Sequence, residues 1–134
     1  MEKIALSIEE IKKVEEKEFI KLGNSYILME KAGLSCANII LDYNKIGNFV
    51  VICGPGNNGG DGFVISRILN KHNKKVNLYC LKKEIYKRDA LEAYKKNKLK
   101  KERLEELSID KNSLIIDCLF GIGLNKKIKG IFLK

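Results

Sequence analysis

Phe49-Val50-Val51-Ile52-Cys53, followed at once by Gly54-Pro55-Gly56-Asn57-Asn58-Gly59-Gly60-Asp61-Gly62, decides the reading of this chain. An uninterrupted apolar run ending on glycine predicts a strand covered on both faces, because a strand with one wet face alternates polar and apolar residues. Phe63, Val64, Ile65, Ile68 and Leu69 then recur at helical intervals and predict a helix that stops near Lys71-His72-Asn73. The stretch from Gly54 to Gly62 reads as the loop between them. Gly54, Gly56 and Gly59 satisfy G-x-G-x-x-G in the strand-to-helix context that this pattern needs. Bare glycine backbone lets N–H groups approach an anion, and a helix N-terminus adds roughly half a positive charge. The loop is therefore a candidate phosphate or pyrophosphate cradle. The alternative is a tight turn whose Asn57, Asn58 and Asp61 cap the next helix.

Downstream, Val76-Asn77-Leu78-Tyr79-Cys80-Leu81 predicts a second strand. Tyr86 to Leu107 is patterned as a helix, with Asn97 as a candidate break and a short edge strand near Leu107-Ser108-Ile109 as an alternative for its last part. Asn112-Ser113 marks a turn before a buried strand, Leu114 to Phe120. Upstream, Leu28, Met29, Ala32, Cys36, Ala37 and Ile40 share one face of a helix expected over Ser25 to Tyr43, and the small residues Ala32, Gly33, Ser35 and Ala37 would let it pack closely. Ser7-Ile8-Glu9-Glu10 has the capping-box form and would open a first helix that carries Ile8, Ile11, Val14, Phe19 and Leu22 and stops at Gly23. Strands separated by helices imply right-handed crossovers and a mostly parallel sheet in one α/β domain.

Composition narrows the function classes. With 134 residues, 45% of them apolar, the chain has enough core for one domain. Glu and Lys throughout Met1 to Gly23 argue against a secretory signal, and no apolar run reaches the roughly 20 residues that span a bilayer. A cytoplasmic protein with no membrane partner is expected. Cys36, Cys53, Cys80 and Cys118 form no Cys-x-x-Cys pair and are expected as buried, reduced thiols. The net charge of +9 comes mainly from lysines between Lys71 and Lys101 and between Asn125 and Lys134. Few aromatics and no nucleic-acid module accompany them, so no nucleic-acid partner is expected; attraction to phosphorylated small molecules is.

A second constellation follows the last strand: Asp117, then Gly121-Ile122-Gly123-Leu124. Ordinary dinucleotide folds carry an acid about 20 residues past the glycine motif to bind the ribose hydroxyls. Here that place reads Leu81-Lys82-Lys83, which weakens the usual hydride-transfer mode. An aspartate ending a buried strand is desolvated unless paired, hydrogen-bonded or bound to a cation. Parallel topology gathers strand ends at one edge, so Asp117 and Asn58 are candidate ligands of a hard cation at the switch point. The alternative makes Asp117 a plain cap for the glycine turn.

With these residues in view, the Gly54–Gly62 stretch closely resembles the signature of the YjeF N-terminal domain, the NAD(P)H-hydrate epimerases. Leu28-Met29-Glu30-Lys31-Ala32-Gly33 before it and Asp117 to Leu124 after it agree in order and spacing. The resemblance covers essentially residues 1–134 and implies a Rossmann-like three-layer α/β/α domain, partial because the family's domain runs on past the equivalent of Lys134. It implies an isomerase that interconverts the R and S epimers of hydrated NADH and NADPH, so that a dehydratase specific for the S epimer can repair the whole pool. Homodimers and fusion or functional linkage to that dehydratase are implied as well. Carried over by position, Asn57, Asn58, Gly59, Gly60 and Asp61, with Gly121, Ile122, Gly123, Leu124, Asn125, Lys126 and Lys127, would line the substrate site. Asn58 and Asp117 would hold K+, and Asp117 is the candidate for proton transfer. Lys126 stands where the family commonly has arginine, keeping the charge but losing the planar fork. Without the family's later segment, epimer exchange by these residues alone is expected to be weak or absent. The competing expectation is a catalytically inactive nucleotide-binding or protein-interaction module of the same fold.

Overall fold

The computed structural model describes residues 25–42 and 47–119. The helix expected over Ser7 to Gly23 and the segment Gly121 to Lys127 lie outside them. Helix α1 spans Ser25–Leu41, strand β1 Asn48–Cys53 and helix α2 Gly56–Lys71. Strand β2, Lys75–Cys80, leads through a 3-10 turn, Lys83–Ile85, to helix α3, Arg88–Lys96. Strand β3, Lys101–Arg103, a second 3-10 turn, Leu104–Glu106, and strand β4, Ser113–Cys118, complete the described order.

All strand pairs are parallel, in the order β3-β2-β1-β4. The apolar run of β1 earns its burial on both faces, since successive strand side chains point to opposite sides. Phe49, Val51 and Cys53 join the larger core with α1, α2 and α3, while Val50 and Ile52 pack with Tyr79 and Leu104. Among the described residues all three helices belong to the first of these faces. No helix among them is long and apolar enough to cross a membrane.

α1 buries the predicted face, Leu28, Met29, Ala32, Cys36, Ala37 and Ile40, with Gly33 beside it. A Cβ on Gly33 would stand 2.3 Å from Val64 Cγ1, so the helices meet where that atom is missing. Ser35 is exposed and takes no part. Beside this contact Arg67 grips both carboxylate oxygens of Glu30, at 2.6 and 2.5 Å, while the Tyr26 hydroxyl donates to the same carboxylate.

Two expected boundaries move. The break at Asn97 is real, because its buried amide donates to Phe63 O at 2.8 Å and Ser66 Oγ at 2.9 Å and accepts from Leu99 N–H at 2.9 Å. Those bonds end α3 and turn the chain outward. The edge strand therefore forms at Lys101–Arg103, paired with Leu78 to Cys80, and not at Leu107 to Ile109. α2 also begins seven residues earlier than its apolar pattern predicts, at Gly56 in place of Phe63. It ends as expected, with Asn73 in the left-handed region at φ 62° and its N–H bonded to Asn70 O.

Candidate functional site

Strand order locates the crevice. From β1 the chain moves to β2 and β3 on one side and returns to β4 on the other, so the topological switch point lies between the carboxyl ends of β1 and β4. Ile52 is in register with Asp117 and Cys53 with Cys118, and Gly54 N–H donates to Cys118 O at 2.9 Å. α2 starts directly above this junction.

The glycines are required there by packing more than by turn freedom. A Cβ on Gly54 would lie 2.1 Å from Leu119 O, and one on Gly59 2.0 Å from Gly54 O. On Gly62 it would meet Cys53 Sγ at 2.5 Å. Gly59, Gly60 and Gly62 are helical, so the expected loop is in fact the opening turns of α2, pressed onto two strands, α1 and α3. Of the glycines between Gly54 and Gly62, Gly56 alone has open space around it, and its φ of +75° calls for glycine on conformational grounds.

Pro55 occupies the N-cap position, and no side chain caps α2. The reading of Asn57, Asn58 and Asp61 as helix caps is therefore not what the structure shows. Asn57 is exposed. Asn58 is half-buried, and its Oδ1 is shielded from solvent with no hydrogen-bond partner among the described residues. Asp61 is 2% exposed, beside Cys53 and Cys118, whose thiols are pushed up first by burial and further by its charge.

Asp117 follows the alternative expectation, a turn cap, and is not buried at its strand end. It is exposed, and its Oδ1 accepts Leu119 N–H at 3.0 Å, the geometry of a turn cap. Alternation explains the exposure: Ile115 packs on the second core and Cys118 on the first, so Asp117 leaves the sheet on the face opposite α2. Asn58 and Asp117 thus share the carboxyl edge from opposite faces. Gly121 to Lys127 lie outside the described residues.

Tyr86 is a structural member of this edge that periodicity did not single out. Its buried hydroxyl donates to Cys53 O and accepts from Leu81 N–H, both at 3.0 Å, clamping the ends of β1 and β2. Burial raises its pKa, so it stays a neutral donor. Its ring packs edge-on against Phe63, with centroids 4.9 Å apart, and one edge carbon would stand 3.0 Å from a Cβ on Gly59. A tyrosine in the short connection after β2 was the available signal. All four cysteines are buried thiols outside any disulfide, as expected. No group of three or more His, Cys, Asp and Glu suited to a metal occurs among the described residues.

Residues 25–134 match the model of the YjeF-related protein N-terminus family. An NAD(P)H-hydrate epimerase of Lentilactobacillus buchneri is 30% identical, over 96% of this chain and 62% of its own length. A bifunctional NAD(P)H-hydrate repair enzyme of Thermofilum pendens is 32% identical over 95% of this chain and 27% of its own. An NAD(P)H-hydrate epimerase of Dictyostelium discoideum is 41% identical over 78% and 48%. The chain thus spans less than two thirds of each of these relatives. The crystal structure of yeast ynu0 superposes with a TM-score of 0.66 at 23% identity, over 97% of this chain and 62% of that one, which shows the shared fold. A parallel sheet with its switch point under the glycine-rich start of α2, together with a family match over most of the sequence, places this chain in the YjeF-related protein N-terminus family.

Proposed function

We propose that the protein is an NAD(P)H-hydrate epimerase whose substrate lies over the β1–β4 crevice. The observation that carries this reading is the polar set at the start of α2, and above all the shielded, unpartnered Asn58 Oδ1. A buried amide oxygen without a partner costs roughly 1–3 kcal/mol, an expense that a ligand or cation removes. Amide and carboxylate oxygens are the donors a hard cation takes, so Asn58 and Asp117 fit K+. Bound there, K+ would supply positive charge beside the substrate's diphosphate. Asn57 to Asp61 would hold the dinucleotide against the N-terminus of α2, and Gly121 to Lys127 belong to the same expected lining. A homodimer, and work in series with a dehydratase, belong to the same reading.

Epimerisation at C6 requires the bond from that carbon to its hydroxyl to break and re-form. The ring nitrogen's electron pair drives hydroxide out and leaves an iminium, to which water adds from either face. In our reading Asp117, where it does not hold K+, gives the departing oxygen a proton and recovers one from the incoming water, so no net proton is consumed; as a K+ ligand its role is electrostatic. An exposed carboxylate at a strand end suits that exchange, because water and substrate both reach it.

The test is chromatographic. Against the expectation from the sequence of weak or absent exchange, the protein, supplied with a single epimer of hydrated NADH, should restore the epimer mixture faster than the uncatalysed reaction. Asp117→Asn should slow this about 100-fold, the usual scale for losing an acid–base group, with the circular dichroism spectrum unchanged. Exchange no faster than the blank, or unchanged by Asp117→Asn, would sink the proposal or its assignment of Asp117 respectively.

A further inference from the structure

The end of β2, where dinucleotide folds keep an acid for the ribose hydroxyls, carries Leu81-Lys82-Lys83 instead. The structure opens a cavity of about 360 Å³ at this place, between the ends of β2 and β3 and the side of α3. Leu81, Lys82, Ile85, Tyr94, Lys101 and Arg103 contribute to its lining. That volume falls in the range of small-ligand sites.

Its charge balance is uneven. Of the two carboxylates on the rim, Glu102 is engaged by Lys100 at 3.2 Å, and Glu105 lies 3.9 Å from Arg103 Nε. Lys82 makes no ion pair among the described residues. Lys101 reaches no carboxylate there either: its Nζ donates to the carbonyls of Asn97 and Leu99 and sits 4.6 Å above the Tyr94 ring. Two cations thus face no carboxylate among the described residues, Lys101 being held by carbonyls and a ring, and a third, Arg103, is only loosely paired. Leu81 and the 49% exposed Ile85 add an apolar wall suited to the face of a purine.

The cavity is also near the crevice. Cys80 in its lining is in register with Cys53, and Tyr86 bonds to both strand ends; in the order β3-β2-β1-β4 the centres of cavity and crevice lie two strand spacings apart, about 10 Å. We propose that this cavity receives the adenosine 2′-phosphate of the substrate, with Lys82, Lys101 and Arg103 as its specificity-determining cations. The protein then takes the hydrate of NADPH in preference to that of NADH. This substrate preference rests on the epimerase reading above; recognition of the 2′-phosphate stands on the cavity alone. An acid at the end of β2 would repel that phosphate, whereas the lysines attract it.

The experiment separates the two claims. Calorimetric titration of the intact protein with adenosine 2′,5′-bisphosphate and with 5′-AMP should show the bisphosphate binding about 10-fold tighter or more, the effect of one charge-assisted hydrogen bond. Lys82→Glu and Arg103→Glu together should bring the two within about twofold, with the melting temperature held, since both side chains are exposed. Equal affinities in the unaltered protein, or a preference that survives both reversals, would overturn the cavity assignment. Epimer exchange of the two hydrates is the second arm. Exchange at equal kcat/KM keeps the epimerase and overturns the preference; a bisphosphate preference without exchange of either hydrate keeps the cavity and removes the epimerase.

Discussion

Two halves of one sheet edge are built from different materials. On the β1–β4 side, backbone meets backbone: Gly54 lets the end of β1 lie against Leu119, Gly59 lets α2 lie against Gly54, and a missing Cβ sets each approach. On the β2–β3 side, long cationic side chains stand around an open cavity, Lys101 held by carbonyls and Arg103 only loosely by Glu105. A region of backbone contacts tolerates almost no change in volume, whereas a lysine can be reversed at small cost to the fold. In the reading proposed above, the first half holds the reacting end of the ligand and the second discriminates among its far ends.

Gly59→Ala gives the sharpest way to break this contrast. With backbone 2.0 Å from the new methyl group, it should cost about 3 kcal/mol or more, read as a lowered melting temperature. Gly56→Ala meets no atom and bears only the positive φ, about 1–2 kcal/mol. Equal losses at the two sites would refute packing as the reason for the glycine run. Tyr86→Phe comes next: it removes both bonds that join the two halves and should lower unfolding free energy by about 2 kcal/mol in urea titrations.

A pH series tests the thiol at the boundary. Burial raises Cys80 from 9.0 to about 11, so the folded state holds the proton more tightly than the unfolded chain. The associated stability is complete below pH 9 and is lost as pH rises through 11. Cys80→Ala should flatten the fall in urea midpoint across that window; an unchanged slope would place its origin elsewhere. The smallest stability effect belongs to Asp117→Ala, which loses one exposed bond to Leu119 N–H and should cost about 1 kcal/mol or less. A much larger loss would mean that Asp117 is buried by contacts beyond the described residues.

Much of the fold was legible along the chain. The apolar run Phe49 to Cys53 specified a strand buried on both faces, because continuous hydrophobicity has one common solution next to glycine. The face Leu28 to Ile40 specified the packed side of α1, and together with the Asn-Asn-Gly-Gly-Asp stretch and Asp117 it pointed to the family that the matched residues show. The expected thiols proved buried because they sit at apolar positions of those same elements.

Tertiary structure alone decided four things. α2 begins at Gly56, not Phe63, since glycines carry no periodic side-chain signal and the helix there is held by its neighbours. β3 forms at Lys101–Arg103 because Asn97 bonds to α2 residues 31 and 34 positions earlier. Tyr86 clamps β1 across 33 positions of sequence. Asp117 is exposed because strand alternation turns it away from α2, although its apolar neighbours in the sequence predicted burial. Hydrophobic pattern records which local structure a segment prefers and how much of it is buried; it carries no record of the distant partner that fixes where an element starts or which way an end residue faces.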